Sequence, residues 1–151
     1  MQPWTAYSDG SALPNPGRMG LGAVITAPDG TRHTLSQLAR EIGCNNEAEL
    51  RALMAALLAL KSRGADMFVA HCDNSIVVEQ ITNLRAPPIA RLAPLFDEAR
   101  ALFASFGQAR LVWIPGHRNG EADGLARAAL GMAPRAVATQ GRKRRKGHKG
   151  R

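Results

Sequence analysis

Apolar and polar residues alternate along the first part of the chain with the period of two that is typical of β-strands. Three such segments, divided by turns that contain glycine or proline, are residues 3–9, 20–30 and 31–39. Asp29 and Gly30 form a dipeptide that strongly favours a tight hairpin, so the second and third segments are predicted to pair. We therefore expect three consecutive antiparallel strands at the start of the fold.

The spacing of apolar residues then changes to that of one face of an α-helix. The apolar positions of this predicted helix, residues 46–63, are Leu50, Leu53, Met54, Leu57 and Leu58. Further strands are predicted at residues 67–72 and 110–114, and further helices at residues 74–84, 89–106 and 121–130. This order predicts an α/β fold with a five-stranded mixed sheet, in which three antiparallel strands are followed by parallel strands, and with helices on both faces.

Length and charge divide the chain into two parts. At 151 residues it is long enough for one domain with a full core. The net charge of +8 comes mostly from residues 141–151, which contain seven of the 20 Lys and Arg, whereas residues 1–140 hold the other 13 and all 12 Asp and Glu. We predict a domain over residues 1–131 and a flexible basic tail over residues 132–151. Such a tail attracts polyanions such as nucleic acid, and a role in solubility is the simpler alternative.

Neither a membrane span nor a secretory segment is visible in the sequence. No apolar run approaches the roughly 20 residues that cross a bilayer, and the first residues lack a basic segment followed by an apolar one. Cys44 and Cys72 lack the spacing of a metal site and are too few for a disulfide framework. We therefore expect a monomer in the reducing cytoplasm, without a membrane partner.

Four acidic residues lie where predicted strands end or predicted helices begin. They are Asp9 at the end of the first strand, Glu49 in the first turn of the long helix, Asp73 after the fourth strand and Asp123 at the start of the last helix. Each also has a local explanation. Asp9 suits a turn, Glu49 can form a capping box with Asn46, Asp73 can cap a helix, and Asp123 suits the helix dipole.

Taken together, the four carboxylates predict a metal site. Strand ends and helix N-termini meet at one edge of an α/β sheet. Four negative charges there would repel one another by on the order of several kcal/mol unless cations lay between them. Carboxylate oxygens suit Mg²⁺ or Mn²⁺ rather than zinc. Two such ions are a general device for in-line displacement at phosphorus, in which one activates the attacking water and the other stabilises the leaving oxygen.

The segments that carry these residues resemble the motifs of type 1 ribonuclease H. They are YSDGS, NNEAEL, HCDNS and WIPGHRNGEADGLA, in this order within residues 3–130. The resemblance implies a ribonuclease H-like fold and an endonuclease that hydrolyses the RNA strand of RNA–DNA hybrids with two Mg²⁺ ions, or with Mn²⁺ in their place. It implies that Asp9 bridges both ions, that Asp123 holds the ion that activates water, and that Glu49 and Asp73 hold the other ion.

A hybrid-specific enzyme must recognise the 2′-hydroxyl of RNA, for which backbone groups and small amides are suited. Backbone at Gly10, Ser11 and Ala12 is expected to be exposed for this purpose. Asn45 and Asn46 lie at a predicted helix N-terminus, where free N–H groups favour phosphate. The resemblance implies that both contact the hybrid and that Asn15 helps to hold a DNA phosphate. Cleavage without sequence preference is expected, because contacts to sugar and phosphate carry no base code.

Three features depart from the family pattern. Cys44 replaces the usual threonine of the DNA-phosphate pocket, and a thiol is a weak hydrogen-bond donor. Ser75 stands where many members have glutamine. Between Asn83 and Arg91, many bacterial members carry a basic protrusion that grips the hybrid, and none is visible here. We nevertheless place Cys44 and Ser75 among the nucleic-acid-binding positions.

His117 lies in the loop before Asp123, at the position of a mobile histidine that assists catalysis in many family members. The loop is shorter here than in the bacterial type, and members with short loops often lack this histidine. His117 is therefore a candidate catalytic residue, with an ordinary surface histidine as the alternative.

Two other functions are compatible with parts of this pattern. A catalytically inactive nucleic-acid-binding module on the same fold would keep the groove, but it would have no need of all four carboxylates. A resolvase or an integrase of the same superfamily normally has a different acid spacing, and the NNEAEL segment favours ribonuclease H over both.

Overall fold

The computed structural model of the protein describes residues 2–135. Within this range five strands are present: β1 (Trp4–Leu13), β2 (Gly17–Thr26), β3 (Arg32–Gly43), β4 (Met67–Cys72) and β5 (Gln108–Trp113). Four α-helices accompany them: α1 (Asn45–Ser62), α2 (Ser75–Thr82), α3 (Ala93–Ala104) and α4 (Gly120–Ala129). Short 3₁₀ turns at Ala90–Leu92 and Gly116–Arg118 lie before α3 and α4.

The strands form one mixed sheet in the order β3-β2-β1-β4-β5. β1 pairs antiparallel with β2, and β2 with β3, whereas β1 pairs parallel with β4, and β4 with β5. This confirms the predicted α/β fold. Since β1, β4 and β5 run in the same direction, the residues at their C-terminal ends meet at one edge of the sheet.

Helices α1 and α4 pack closely on opposite faces of β1 and β2. A Cβ atom at Gly10 would fall on the carbonyl of Ala48 in α1, whereas a Cβ atom at Gly22 would fall on the carbonyl of Ala122 in α4. Gly22 is paired with Asp9, the neighbour of Gly10, and successive strand residues point to opposite faces. The two glycines therefore let one helix approach each face beside Asp9, which confirms helices on both faces.

The prediction that the first strand ends at Asp9 is wrong. β1 continues to Leu13 because its antiparallel partner β2 runs beside it along this whole length. On the other side, the parallel partner β4 stops at Cys72, which lies opposite Ser8. Asp9 is therefore the first residue of β1 beyond the end of β4. Asp9 lies at this edge of the sheet because the neighbouring strand β4 ends before it, and no turn occurs at Asp9.

The hairpin between β2 and β3 is confirmed at the predicted position. Gly30 has a φ of 91°, which favours glycine, and Ala27 closes the turn by donating a hydrogen bond to the Thr31 carbonyl at 2.8 Å. Both strands differ in length from the prediction, because β2 begins at Gly17 and β3 continues to Gly43.

Two helices begin differently from the prediction. Asn74 caps α2, because its side chain accepts a hydrogen bond from the Val77 N–H at 3.0 Å, so Asp73 does not have this role. The helix predicted over residues 89–106 begins with a 3₁₀ turn, and α3 itself starts at Ala93. Pro94 then lies in its first turn, where the missing N–H has no helical partner to lose.

The main hydrophobic core lies between the sheet and helices α1, α2 and α3. Leu50, Leu53, Leu57 and Leu60 of α1 are completely buried in it, as the spacing of three of them predicts. Leu58, which was assigned to the same face, is instead exposed. The buried face of α1 fixes the orientation of this helix and thus the position of its first turn at the edge of the sheet.

Helix α1 is the longest helix, with 18 residues, but it carries charged side chains in its first and last turns. Across residues 2–135, no helix combines the length and the hydropathy that a bilayer crossing requires.

Candidate active site

Asp9 lies on β1, near the middle of the cluster of acidic side chains. It is 5% exposed. The Gly10 N–H, next along the strand, donates a hydrogen bond at 3.3 Å to Oε1 of Glu49. The sheet thus fixes the backbone of Asp9, and the N–H of the next residue, Gly10, holds the carboxylate of Glu49.

Glu49 projects from the first turns of α1 and is 8% exposed. The capping box expected for it with Asn46 is absent. Cys44 occupies the N-cap position of α1 without a side-chain cap bond, and Asn46 accepts a hydrogen bond from Asn74 at 2.8 Å. Glu49 is therefore not used to start its own helix, and its carboxylate is available to the cleft.

Asp73 follows β4 directly and is held from two sides. Asn119 donates its side-chain N–H to Oδ2 of Asp73 at 3.1 Å, and the Trp113 ring donates to the Asp73 carbonyl at 3.2 Å. One oxygen each of Asp9, Glu49 and Asp73 lies within 4.8 Å of the others. Three of the four predicted carboxylates therefore meet closely enough to share an ion.

Asp123 lies in the first turn of α4, as predicted, and faces the same cleft. Its Oδ2 accepts a hydrogen bond from Nε of Arg135 at 3.1 Å. Asp123 lies outside the tight group of three oxygens, but its negative charge is among the causes that raise the pKa of Asp9. All four predicted carboxylates therefore belong to one electrostatic site.

Burial and mutual repulsion act against ionisation of the two most enclosed carboxylates. Burial raises the pKa of Asp9 to about 7, although a hydrogen bond with Glu49 lowers it, and the charges of Asp73 and Asp123 raise it further. Burial also raises the pKa of Glu49, and the charge of Asp9 adds to this effect. Among residues 2–135, no lysine, arginine or histidine forms an ion pair with Asp9, Glu49 or Asp73. The site therefore favours the approach of cations from outside.

The carboxylates line an open cleft of about 570 Å³. Its walls come from β1, the N-terminal ends of α1 and α4, the 3₁₀ turn before α4 and the segment after α4. The lining residues are Asp9, Gly10, Ser11, Asn45, Glu49, Asp73, Gly116, His117, Gly120, Asp123, Pro134 and Arg135. A cleft lined by four carboxylates, with small polar residues and Arg135 around them, suits divalent ions together with an anionic substrate.

Asn119 is an important residue of the site that the sequence did not reveal. It is 1% exposed, and its side-chain N–H groups donate to the Ser8 carbonyl at 2.8 Å as well as to Asp73. The backbone carbonyl of Asn119 accepts a hydrogen bond from the Asp123 N–H at 3.0 Å. It therefore connects the strand of Asp9 with both Asp73 and Asp123. An asparagine before a helix usually indicates a cap, and only the tertiary structure shows that its side chain turns inward.

The sequence and the fold match one family over most of the chain. A family model described as reverse transcriptase-like matches residues 7–129. RNase H1 from the halophilic archaeon Halobacterium salinarum is 30% identical in sequence, and its crystal structure matches with a TM-score of 0.79, covering 86% of this chain and 98% of that one. The chain belongs to the type 1 ribonuclease H family. Ribonucleases H are hydrolytic nucleases.

Two further ribonuclease H relatives extend this result. The bifunctional protein Rv2228c of Mycobacterium tuberculosis is 34% identical over 133 residues, which are 87% of this chain and 36% of that protein. The chain thus spans about a third of the length of this relative. The structure of LC11-RNase H1 in complex with an RNA/DNA hybrid is 29% identical and has a TM-score of 0.76, covering 85% of this chain and 96% of that one.

Of the residues expected to contact nucleic acid, Gly10, Ser11 and Asn45 line the cleft together with the four carboxylates. The Asn45 side chain accepts a hydrogen bond from the Ala12 N–H at 2.8 Å, and the Asn45 N–H donates to the Asn15 side chain at 3.0 Å. Asn15 and Asn45 are exposed, whereas Gly10 is buried and its N–H is already bonded to Glu49. The expectation of free, exposed backbone is therefore wrong at Gly10 and also at Ala12, which is buried and donates its N–H to Asn45, while Ser11 is partly exposed and lines the cleft.

Cys44 and Ser75 occupy helix starts on this side of the molecule. Cys44 precedes α1, and its thiol lies 3.6 Å from Nη1 of Arg91. Burial raises the pKa of this thiol, but backbone N–H groups at the helix start and Arg91 outweigh the effect and lower the pKa overall. Ser75 is the first residue of α2 and is exposed.

The chain is the short form of ribonuclease H that the sequence predicts. Residues 83–89 connect α2 to the 3₁₀ turn Ala90–Leu92 without an inserted helix. His117 lies on the 3₁₀ turn Gly116–Arg118, exposed at the rim of the cleft. Residues 141–151, which carry the predicted basic tail charges, lie outside the described residues.

Proposed function

We propose that the protein is an endoribonuclease that hydrolyses the RNA strand of RNA–DNA hybrids. The observation that carries the proposal is the cleft in which oxygens of Asp9, Glu49 and Asp73 lie within 4.8 Å of one another, with Asp123 in the same cleft. The likeness to LC11-RNase H1, which is solved with an RNA/DNA hybrid, supports this substrate class.

The donor set fits two Mg²⁺ ions, and Mn²⁺ can replace them. All four groups are carboxylates, and burial together with the charges of neighbouring carboxylates raises the pKa values of Asp9 and Glu49, which bound cations would offset. Asp9, Glu49, Asp73 and Asp123 would hold the ions. When bound, the ions supply an attacking water of lowered pKa and neutralise charge that develops on the phosphate and the leaving oxygen.

The chain's own hydrogen bonds hold the carboxylates in place before any substrate arrives. The Gly10 N–H fixes Glu49, and Asn119 fixes Asp73. Because Asp9 lies within a paired strand, its backbone is also fixed. Ordering these groups in advance removes part of the entropy cost of assembling the reacting atoms.

His117 is proposed as a residue that transfers a proton near the leaving oxygen. It is exposed at the rim of the cleft, on a short turn next to the helix that carries Asp123. A histidine is suited to this role because an imidazole ring can both accept and donate a proton.

The groove beside the carboxylates is proposed to bind the hybrid without reading its sequence. Ser11, Asn15, Asn45 and Asn46 offer hydroxyl and amide groups that suit sugar and phosphate, and the proposed contacts do not extend to base edges. Cys44, with Arg91 beside its thiol, and Ser75 are proposed to contribute weaker contacts at its margin.

The basic residues 141–151 are proposed to add affinity that depends on salt but not on sequence. Deleting residues 141–151 is expected to weaken hybrid binding and to flatten its salt dependence, with cleavage intact at low salt. Equal salt slopes for the two forms would contradict this part of the proposal.

The decisive experiment is cleavage of end-labelled 20-base-pair probes by the purified chain. With Mg²⁺, the RNA–DNA hybrid should be cut at many internal positions of the RNA strand, whereas duplex DNA and single-stranded RNA should remain intact. Asp9→Asn should abolish cleavage and preserve hybrid binding. Failure to cut the hybrid with either Mg²⁺ or Mn²⁺ would refute the proposal, as would an unchanged rate in Asp9→Asn.

A reducing compartment and a monomeric state are proposed as the setting of this activity. Cys44 and Cys72 are free thiols in the structure, which agrees with the cytoplasm. Sedimentation of the purified chain should give the mass of one copy, and a stable dimer would contradict this assignment.

A further inference from the structure

Arg135 places a positive charge inside the acidic cleft. Its Nε donates to Oδ2 of Asp123 at 3.1 Å, and Arg135 and Pro134 line the cleft together with the carboxylates. Among residues 2–135, this is the only arginine, lysine or histidine that forms an ion pair with any of the four carboxylates. The position of Arg135 in the cleft indicates a function there.

The segment after α4 is folded back so that Arg135 reaches Asp123. Gly131 has a φ of 75°, which ends the helix and reverses the chain. The Met132 N–H donates to the Arg127 carbonyl at 2.8 Å, and Nε of Arg127 donates to the Ala133 carbonyl at 2.7 Å. These bonds hold the segment against α4, so the backbone presents Arg135 to the cleft.

The ion pair itself is weak enough to be exchanged. The Arg135 side chain is 64% exposed, compared with 16% for Asp123, and only Nε of the guanidinium is bonded to a described residue. An ion pair whose arginine is largely exposed to solvent and makes a single hydrogen bond is weak. A divalent ion on Asp123 can therefore displace the arginine, whose remaining N–H groups can bind another anion.

The anion that enters this cleft under the proposed function is a phosphodiester. The planar guanidinium group binds phosphate oxygens with two parallel hydrogen bonds, for which its Nη groups are open here. Because Arg135 already reaches Asp123, a phosphate positioned beside Asp123 lies within range of the same side chain.

We propose that Arg135 is a substrate-binding residue that pairs with Asp123 in the free protein and contacts a phosphate of the nucleic acid once a divalent ion occupies Asp123. This inference rests on the proposed function, because it requires both divalent ions and a nucleic acid in the cleft. It assigns to the residues after α4 a part in substrate binding that is separate from the basic residues 141–151.

The first test measures binding of Mn²⁺ alone by calorimetry, without nucleic acid. Arg135→Ala removes the competing cation and should bind the ion at Asp123 roughly three- to fivefold more tightly. Arg32→Ala is the matched control, because Arg32 pairs with Glu121 in the same first turn of α4 but outside the cleft. It should leave Mn²⁺ affinity unchanged. Equal Mn²⁺ affinities for wild type and Arg135→Ala would contradict the ion pair between Arg135 and Asp123 in the metal-free protein.

The second test measures affinity for a fluorescent RNA–DNA hybrid in the Asp9→Asn background, where the hybrid stays intact. With Mg²⁺, Arg135→Ala should weaken binding roughly three- to tenfold and reduce the salt slope by about one, whereas Arg135→Lys should recover part of the affinity. With EDTA, the loss should be absent, since Arg135 then stays on Asp123. A loss of equal size in both conditions, or no loss in Mg²⁺, would overturn the phosphate contact.

The outcomes separate this inference from the function on which it rests. If the wild-type chain cuts hybrids and Arg135→Ala behaves like wild type in both binding tests, only the role of Arg135 fails. If the wild-type chain neither binds nor cuts hybrids with Mg²⁺ or Mn²⁺, the proposed function itself fails.

Discussion

Glu49 and Leu50 are neighbours on α1, and both are buried, but they belong to two regions with opposite physical properties. Leu50 is completely enclosed by the apolar core between α1 and the sheet. Glu49 points into the cleft, where burial and the charge of Asp9 raise its pKa. Burial of the leucine stabilises the fold, whereas burial of the ionised carboxylate costs free energy.

This contrast shows how one helix serves two purposes. The core face of α1 fixes the helix with apolar contacts that need no ligand. Near its N-terminal end, α1 then presents the Glu49 carboxylate at a place where the metal-free fold gains nothing from it. Residues that oppose the stability of the fold and share one cleft indicate function, because a structural role would have favoured neutral side chains there.

The largest expected effect follows from neutralising the cleft. Glu49→Gln should reduce cleavage of the hybrid by about 1,000-fold or more, because losing an ion ligand removes several kcal/mol of transition-state stabilisation. Single-turnover cleavage at saturating Mg²⁺ measures this effect. Glu47→Gln makes the same change two residues earlier on α1, where Glu47 pairs with Arg51, and should stay within about twofold of wild type. A similar loss of cleavage in both variants would show that the effect does not depend on the position of Glu49 in the cleft.

The next effect concerns the core region. Leu57→Ala should lower the free energy of unfolding by about 3 kcal/mol, because Leu57 is completely buried and its truncation leaves a cavity. Urea denaturation measures the change. The cleavage rate per folded molecule should remain that of wild type. Leu58→Ala is the control on the exposed side of α1 and should change stability by less than about 0.5 kcal/mol.

A smaller effect should appear in the pH dependence of the metal-free protein. The pKa of Asp9 is raised from 3.8 to about 7 by burial and by neighbouring charges. Between these values the unfolded chain loses this proton while the folded chain keeps it, so folding becomes less favourable as the pH rises. Asn cannot ionise, so Asp9→Asn should be at least about 2 kcal/mol more stable than wild type at pH 8 and nearly equal to it near pH 4.

Urea denaturation in EDTA at intervals between pH 4 and pH 8 measures this difference. Asp97→Asn, on the surface of α3, should show a difference that does not change with pH over the upper part of the range. Mg²⁺ should restore the stability of wild type at pH 8 but not raise that of Asp9→Asn equally. Parallel curves of unfolding free energy against pH for wild type and Asp9→Asn would contradict the raised pKa of Asp9.

The smallest effect distinguishes the two asparagines that precede helices. Asn119→Ala should raise the Mg²⁺ concentration for half-maximal cleavage by about tenfold, because Asn119 orients Asp73. Asn74→Ala removes the cap of α2 and should cost about 1 kcal/mol of stability with little change in the Mg²⁺ requirement. Equal Mg²⁺ requirements in the two variants would show that Asn119 acts only as a structural residue.

Local patterns predicted the elements of the fold well, because the period of apolar residues depends on the geometry of one strand or helix. The helix over residues 45–62 and the hairpin at Gly30 are examples. The extension of β1 past Asp9 could not be predicted in this way. It depends on the lengths of β2 and β4, which are separate segments of the chain.

The candidate site was predicted to a similar degree. The four acidic positions were predicted to approach one another from expected places at strand ends and helix starts, although β1 in fact continues past Asp9. The inward turn of Asn119 and the return of Arg135 to Asp123 did not follow, since each depends on contacts between distant segments. The expected caps at Asn46 and Asp73 were wrong: Asn46 accepts a tertiary hydrogen bond from Asn74, and Asn74, the residue after Asp73, caps α2.

The sequence by itself determined which residues carry charge, which faces are apolar and in which order strands and helices follow. These properties are local, because they depend on side-chain chemistry and on the repeat of a single element. Only the tertiary structure decided where Asp9 stands relative to the end of β4, how Asn119 joins the carboxylates and which cation approaches Asp123. These arrangements depend on the packing of segments that are remote in the chain, and no local pattern contains that information.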